Sequence, residues 1–175
     1  LVSQMSAERR IAGAIVYESI AYTDPAPHSQ SLPRGLGLLY PGLRRKIARR
    51  RFAGDWTLVV HRRSSRAIAR SLVEGMALLA GPGAAIPVRD LADLPVLGGL
   101  LRRRVPALAD FGRSDHLSFW RAGIPAVMLT DTADLRNPHY HQPTDTPDTL
   151  DYERLAAIVG ATAFALARLA GLTLT

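Results

Sequence analysis

Residues 12–20 read AGAIVYESI, a continuous apolar run with β-branched side chains that ends beside a carboxylate. A strand that alternates apolar and polar residues can rest on one layer and face water on its other side. A strand that is apolar on both faces must be covered on both, which requires a sheet held between helices. This run constrains the fold more tightly than any bulk property of the chain.

The rest of the sequence repeats the theme. DWTLVVH (55–61) and IPAVMLT (124–130) predict two more strands, and AAIPV (84–88) a weaker one. Ser64 or Ser65 can cap a helix over about 65–80, with Ile68, Leu72, Met76 and Leu79 at helical spacing and Gly81 at its end. SDHLSFWRAG predicts a short helix between Ser114 and Gly123. A long helix follows over about 151–170, with Asp151 near its start and Gly171 past its end. Residues 22–41 are rich in Pro, Ser and Gly and read as a long loop, whereas 89–113 carry no clear period. Strands alternating with helices predict one α/β domain over residues 1–175, with a mixed, mostly parallel sheet flanked by helices.

Composition narrows the chemistry. The 175-residue chain is 47% hydrophobic, enough for one good core. It has no cysteine, so any metal must be held by His, Asp or Glu, a donor set that suits zinc. Net charge is +7, and all but one of the 22 basic residues are arginine. The densest patch, LRRKIARRR at 43–51, lacks the interleaved aromatics of a base-stacking surface. It reads as a solvated loop or short helix, and no nucleic-acid partner is expected. The apolar run LAAIVGATAFALA at 155–167 falls short of the about 20 residues a membrane span needs. The first ten residues, LVSQMSAERR, lack the apolar core of a signal peptide, and the chain is expected to be a processed product or a fragment.

In open α/β sheets, ligands gather outside the carboxyl ends of the strands. Two chemically loaded segments sit there. Glu18 closes the first strand, where a carboxylate is costly unless paired, hydrogen-bonded or coordinating. The loop NPHYHQPTDTPDTLDY (137–152) follows the last strand and holds two of the five histidines, braced by prolines that forbid a regular helix. Ser114, Asp115 and His116 do not form a hydrolase triad. Adjacent residues on one helical turn point in different directions, and no G-x-S-x-G elbow is present. Asp115 and His116 read better as groups that orient ligands through hydrogen bonds.

Three blocks carry a family resemblance. AIVYESIAYTDPAPHSQ resembles the strand-and-acidic-ligand segment of zinc aminopeptidases, in the superfamily that also holds glutamate carboxypeptidase, the transferrin receptor and glutaminyl cyclase. GRSDHLSFWRAGIPAVMLTDT resembles that family's SDH-x-x-F-x-x-x-G-I-P-A block, and HYHQPTDTPDTLDYERL its closing Tyr-His-x-x-x-Asp-Thr block. The blocks keep the family's order over nearly the whole chain.

The resemblance implies a two-zinc site in which Glu18 binds one ion and His141, not His139, binds the other. It places Tyr140 beside the metal as a wall of the substrate pocket, with Asp115 and His116 in support. The implied substrate is a peptide and the implied reaction is hydrolysis of its N-terminal bond by zinc-activated water. A second metal polarises the scissile carbonyl and a glutamate serves as general base. Relatives are often secreted, periplasmic or membrane-anchored.

The chain departs from the family at its start. Relatives supply His-x-Asp and Glu-Glu segments from a region preceding the Glu18 block. Only 17 residues precede Glu18 here, with no histidine, no aspartate and one glutamate, Glu8. The bridging aspartate, one histidine ligand, one glutamate ligand and the general base are therefore absent, while a catalytic zinc normally takes three protein ligands. The expectation is the carboxyl-terminal part of a zinc-peptidase catalytic domain, incomplete at its N-terminal side and inactive alone. An open sheet edge could support self-association. The alternative is a non-catalytic, peptidase-like binding or structural module, a course the transferrin receptor has taken.

Overall fold

The computed structural model describes residues 11–172; the LVSQMSAERR segment, Glu8 included, lies outside them. Strands β1 (Ala14–Tyr17), β2 (Thr57–His61), β3 (Ala85–Arg89) and β4 (Ala126–Thr130) form one sheet in the order β1-β4-β2-β3. β1 pairs parallel with β4, and β2 with β3, while β2 runs antiparallel to β4. The sheet is mixed, mostly parallel and open, as the strand–helix alternation predicts.

Helices α1 (Pro41–Arg49), α2 (Arg66–Ala80), α3 (Leu97–Arg104), α4 (His116–Arg121) and α5 (Tyr152–Leu169) connect and cover the strands. Successive residues of a strand point to opposite faces, so each central strand feeds two cores. Val59, Val127 and Leu129 face α2 and α5, where they meet Leu72, Met76 and Ile158. Leu58, Val60, Ala126 and Met128 face the other way, toward Ile47 of α1, Trp120 of α4, and Leu108 and Phe111. Three layers result. The tightest approach is between α2 and α5: a β-carbon built on Gly75 would lie 2.9 Å from the α-carbon of Ala161.

The sequence signals for helix ends hold in part. The Asp151 carboxylate accepts from the Arg154 N–H at 2.8 Å and caps α5. Gly81, at φ 86, ends α2 in a conformation that L side chains avoid. Ser65 acts differently from expectation: its hydroxyl accepts from the Arg62 N–H at 3.1 Å, closing the 3-10 turn Arg63–Ser65 that leads into α2. Asp115, rather than Ser114, stands at the N-cap of α4 and makes no side-chain cap.

Three stretches differ from their sequence reading. The first strand stops short of residue 20: the ladder extends to the Glu18 N–H, which donates to the Leu129 carbonyl at 3.0 Å. Ser19 and Ala21 then adopt φ of 48 and 73, left-handed values that end an extended chain. The 22–41 loop contains a one-turn helix, Leu36–Leu39. Residues 89–113 fold as three 3-10 turns around α3, too short to show a helical period, yet they bury Leu108 and Phe111.

The arginine-rich patch lies on α1. Leu43 and Ile47 are buried beneath it, and Arg44, Arg45, Lys46 and Arg49 face water. Among the described residues, no helix is long and apolar enough to cross a membrane. The excursion between β1 and β2 is clasped at its base, where Asp24 and Gly54 exchange two backbone hydrogen bonds of 3.1 and 2.8 Å.

Candidate active site

Because β2 runs against its neighbour, its first residues lie at the rim where β1 and β4 end; the register sets Leu58 opposite Thr130. A cavity of about 190 Å³ opens at this rim. Glu18, Ser114, Thr130 and Tyr140 supply polar wall, and Leu36, Ile47, Trp56, Leu58, Phe111 and Met128 supply apolar wall. The expectation that ligands gather at the strand ends thus meets a real concavity.

Glu18 enters it directly from the end of β1. The Ser19 hydroxyl lies 3.5 Å from its carboxylate, and no arginine, lysine or histidine among the described residues forms an ion pair with it. A half-buried carboxylate left without a cationic partner is poised to accept one.

Tyr140 reaches the same cavity from the loop after β4. His141 does not line it. The imidazole is exposed and stacked on the Tyr140 ring, with centroids 3.9 Å apart and planes 18° from parallel. The backbone of His141 is left-handed, at φ 57. His139 is turned elsewhere: its Nδ1 lies 2.9 Å from the Thr144 hydroxyl, and its ring meets Tyr22 edge-on.

His116 is fully buried. Its Nε2 donates to the Phe111 carbonyl at 2.6 Å, and its ring stands edge-on to Trp120 at 4.4 Å. Burial pushes its pKa down, which keeps the ring neutral. It therefore acts on the cavity indirectly, by fixing the turn that carries Phe111. Asp115 is exposed and lies off the cavity wall, while Arg113 and Ser114 beside it are on the wall. Of the five residues singled out by sequence, the structure brings Glu18 and Tyr140 to one cavity and sets His141 against its rim.

Behind the rim lies a polar network that the sequence did not single out. Arg136 is 5% exposed; its Nε donates to the Gln30 side-chain oxygen at 2.8 Å and its Nη1 to the Trp56 carbonyl at 2.7 Å. Burial pushes its pKa down to about 10, so it stays charged at neutral pH. Asp131, at the end of β4, accepts from the Ala133 and Tyr22 N–H groups at 2.9 and 3.1 Å. Burial still raises its pKa to about 6 against those two bonds. These residues tie the Tyr140 loop to Tyr22 after β1, to Gln30, and to Trp56 just before β2. The contacts span 80 to 109 residues of sequence, so no local pattern announces them; an aspartate directly after an apolar strand was the one available hint.

Among the described residues, no three His, Asp or Glu side chains gather into a group able to hold a metal ion. Glu18 and His141 alone do not make a zinc site, which takes three protein ligands.

Residues 100–166 match Peptidase family M28. That stretch contains α4, β4, the Tyr140–His141 loop and most of α5. This part of the chain is similar to peptidase family M28. The match agrees with the peptidase resemblance over those residues, and Glu18 lies outside them. The chain is also 36% identical over 159 residues to "Uncharacterized protein YfbL" of Escherichia coli (strain K12), a match that covers 90% of this chain and 42% of that relative. The chain thus spans about two fifths of the relative's length. No solved structure matches it.

Proposed function

We propose that the complete protein is a metal-dependent peptidase of the aminopeptidase type, and that this chain supplies one side of its active site while being inactive alone. One observation carries the reading: Glu18 from β1 and Tyr140 from the M28 segment line the same cavity. In this reading Glu18 and His141 are two of the zinc ligands of the complete two-ion site. The remaining ligands and the general-base glutamate come from chain outside this segment.

The chain's own part is recognition. The apolar wall formed by Trp56, Leu58, Phe111 and Met128 receives an apolar side chain, and about 190 Å³ accommodates one residue rather than a longer peptide. Tyr140 and Ser114 border that space, and in this reading the peptide backbone lies near them and Glu18. The outer strand β1 leaves an edge that further strands of the complete domain would pair with, or that a second copy would occupy.

The test compares the chain alone with the chain joined to its native upstream region. Metal analysis should find about two zinc ions per joined chain, and leucine 4-nitroanilide should be hydrolysed by the joined chain only. Glu18→Gln and His141→Gln should each lower zinc content and activity, and His139→Gln neither. A joined chain that folds without zinc and without hydrolysis would overturn the reading and leave the non-catalytic module.

A further inference from the structure

At the opposite rim of the sheet, where β2 and β3 end, His61, Arg63, Arg66 and Arg89 line a second cavity. The strand register sets His61 beside Arg89. Arg63 opens the 3-10 turn and Arg66 is the first residue of the 15-residue helix α2, with no acidic residue in either first turn. Cations at the positive end of a helix dipole repel it and one another. Such a cluster is stabilised by an anion.

The acids in reach leave that demand only partly met. Asp90 is taken by Arg62 at 3.1 Å. Asp93 accepts from the Arg63 N–H at 2.8 Å and from Arg89 Nη2 at 3.3 Å, so donors from two elements already converge on a carboxylate oxygen. Arg89 Nε is shut off from water with no acceptor. Among the described residues, the guanidinium groups of Arg63 and Arg66 have no ion-pair partner. His61 Nδ1 contacts the Arg62 carbonyl at 3.0 Å, which leaves its Nε2 for a ligand.

We propose that this cavity binds a small oxyanion of the phosphate class, gripped by Arg63, Arg66 and Arg89. A guanidinium fork matches two phosphate oxygens at once. A phosphate dianion outweighs the single charge of Asp93 and has enough acceptors for three guanidinium groups. The source is free phosphate or a phosphoryl group on a larger molecule. The site lies across the sheet from Glu18, so it stands or falls independently of the peptidase reading.

The test is calorimetric titration of the full chain with inorganic phosphate, at ionic strength held constant with chloride. Saturable one-to-one binding is expected, weakened roughly ten-fold or more in the double variant Arg63→Gln/Arg66→Gln. Arg44→Gln/Arg45→Gln on α1 removes the same charge elsewhere and should leave the affinity unchanged. Should the first double variant fail to fold, Arg66→Ala alone, at an exposed helix start, should still weaken binding several-fold. Phenyl phosphate distinguishes the sources: equal affinity identifies free phosphate as ligand, and tighter binding a phosphoryl group on a larger molecule. Non-saturating heats, or equal losses in the α1 and α2 variants, would overturn the site.

Discussion

The Arg136 guanidinium lies 4.8 Å over the Trp56 ring while its Nη1 donates to the Trp56 carbonyl oxygen at 2.7 Å. One side chain thus joins the loop that presents Tyr140 to Trp56, which precedes β2 and forms part of the apolar wall. Arg136→Met keeps the length but leaves the Trp56 and Tyr22 carbonyls without this donor and the Gln30 side-chain oxygen with only the Thr132 hydroxyl. A loss of roughly 3–5 kcal/mol in urea unfolding is expected. Gly54→Ala should act in the same direction, because its β-carbon would sit 2.7 Å from Arg136 Nε.

Asp131 gives the fold a pH dependence of defined sign. Its folded pKa, about 6, is raised above that of an unfolded aspartate, about 3.9. The folded state therefore holds the proton more tightly. The stability this gives is fully present in acid and is lost as pH rises from about 4 through about 6, by an amount on the order of 3 kcal/mol. Asp131→Asn forfeits one N–H acceptor at every pH but should remove this slope. Urea unfolding of both proteins across that window measures the difference.

The α2–α5 contact tolerates little added volume. Gly75→Ala places a methyl group against Ala161 backbone, which can yield only if one helix moves. A destabilisation of about 1–3 kcal/mol is expected from overpacking. Gly42→Ala, where a β-carbon meets nothing within 4 Å, should cost no stability. Thermal unfolding of the two variants side by side checks the contrast.

With β1 at the edge of the sheet, the isolated chain should self-associate as its concentration rises. Sedimentation velocity over a concentration series should show a shift to larger species. If the proposed reading holds, joining an upstream region whose strands pair with β1 should abolish that shift. A concentration-independent monomer would remove open-edge pairing from the account.

Elements with a strong local period were legible in the sequence. β4 and α5 appear where IPAVMLT and the Asp151–Gly171 stretch place them, and even the weak AAIPV strand forms. Strand order and the reversed direction of β2 were not legible, since pairing is decided between residues far apart, such as Leu58 with Thr130. The site divides in the same way. Glu18 carries a local signal, a carboxylate at a strand end, whereas Tyr140 was singled out by the family resemblance of its proline-braced loop. The Arg136–Gln30 tether joins residues 106 apart and leaves no local trace. Asp115 and His116 look alike as neighbours in sequence, yet a helix start sends one to solvent and the other into the core.

The hydrogen-bonded clasp of Asp24 on Gly54 has an evolutionary corollary. Leu36 and Ile47, both in the cavity wall, belong to the stretch that the clasp closes off, whereas Glu18 and Thr130 lie outside it. A segment pinned at both feet can grow or shrink for a closure entropy that rises only logarithmically. Exposed turns within the insert can therefore lengthen or shorten and reshape that side of the cavity, while Gln30, Ile47 and the strand-end positions stay where they are.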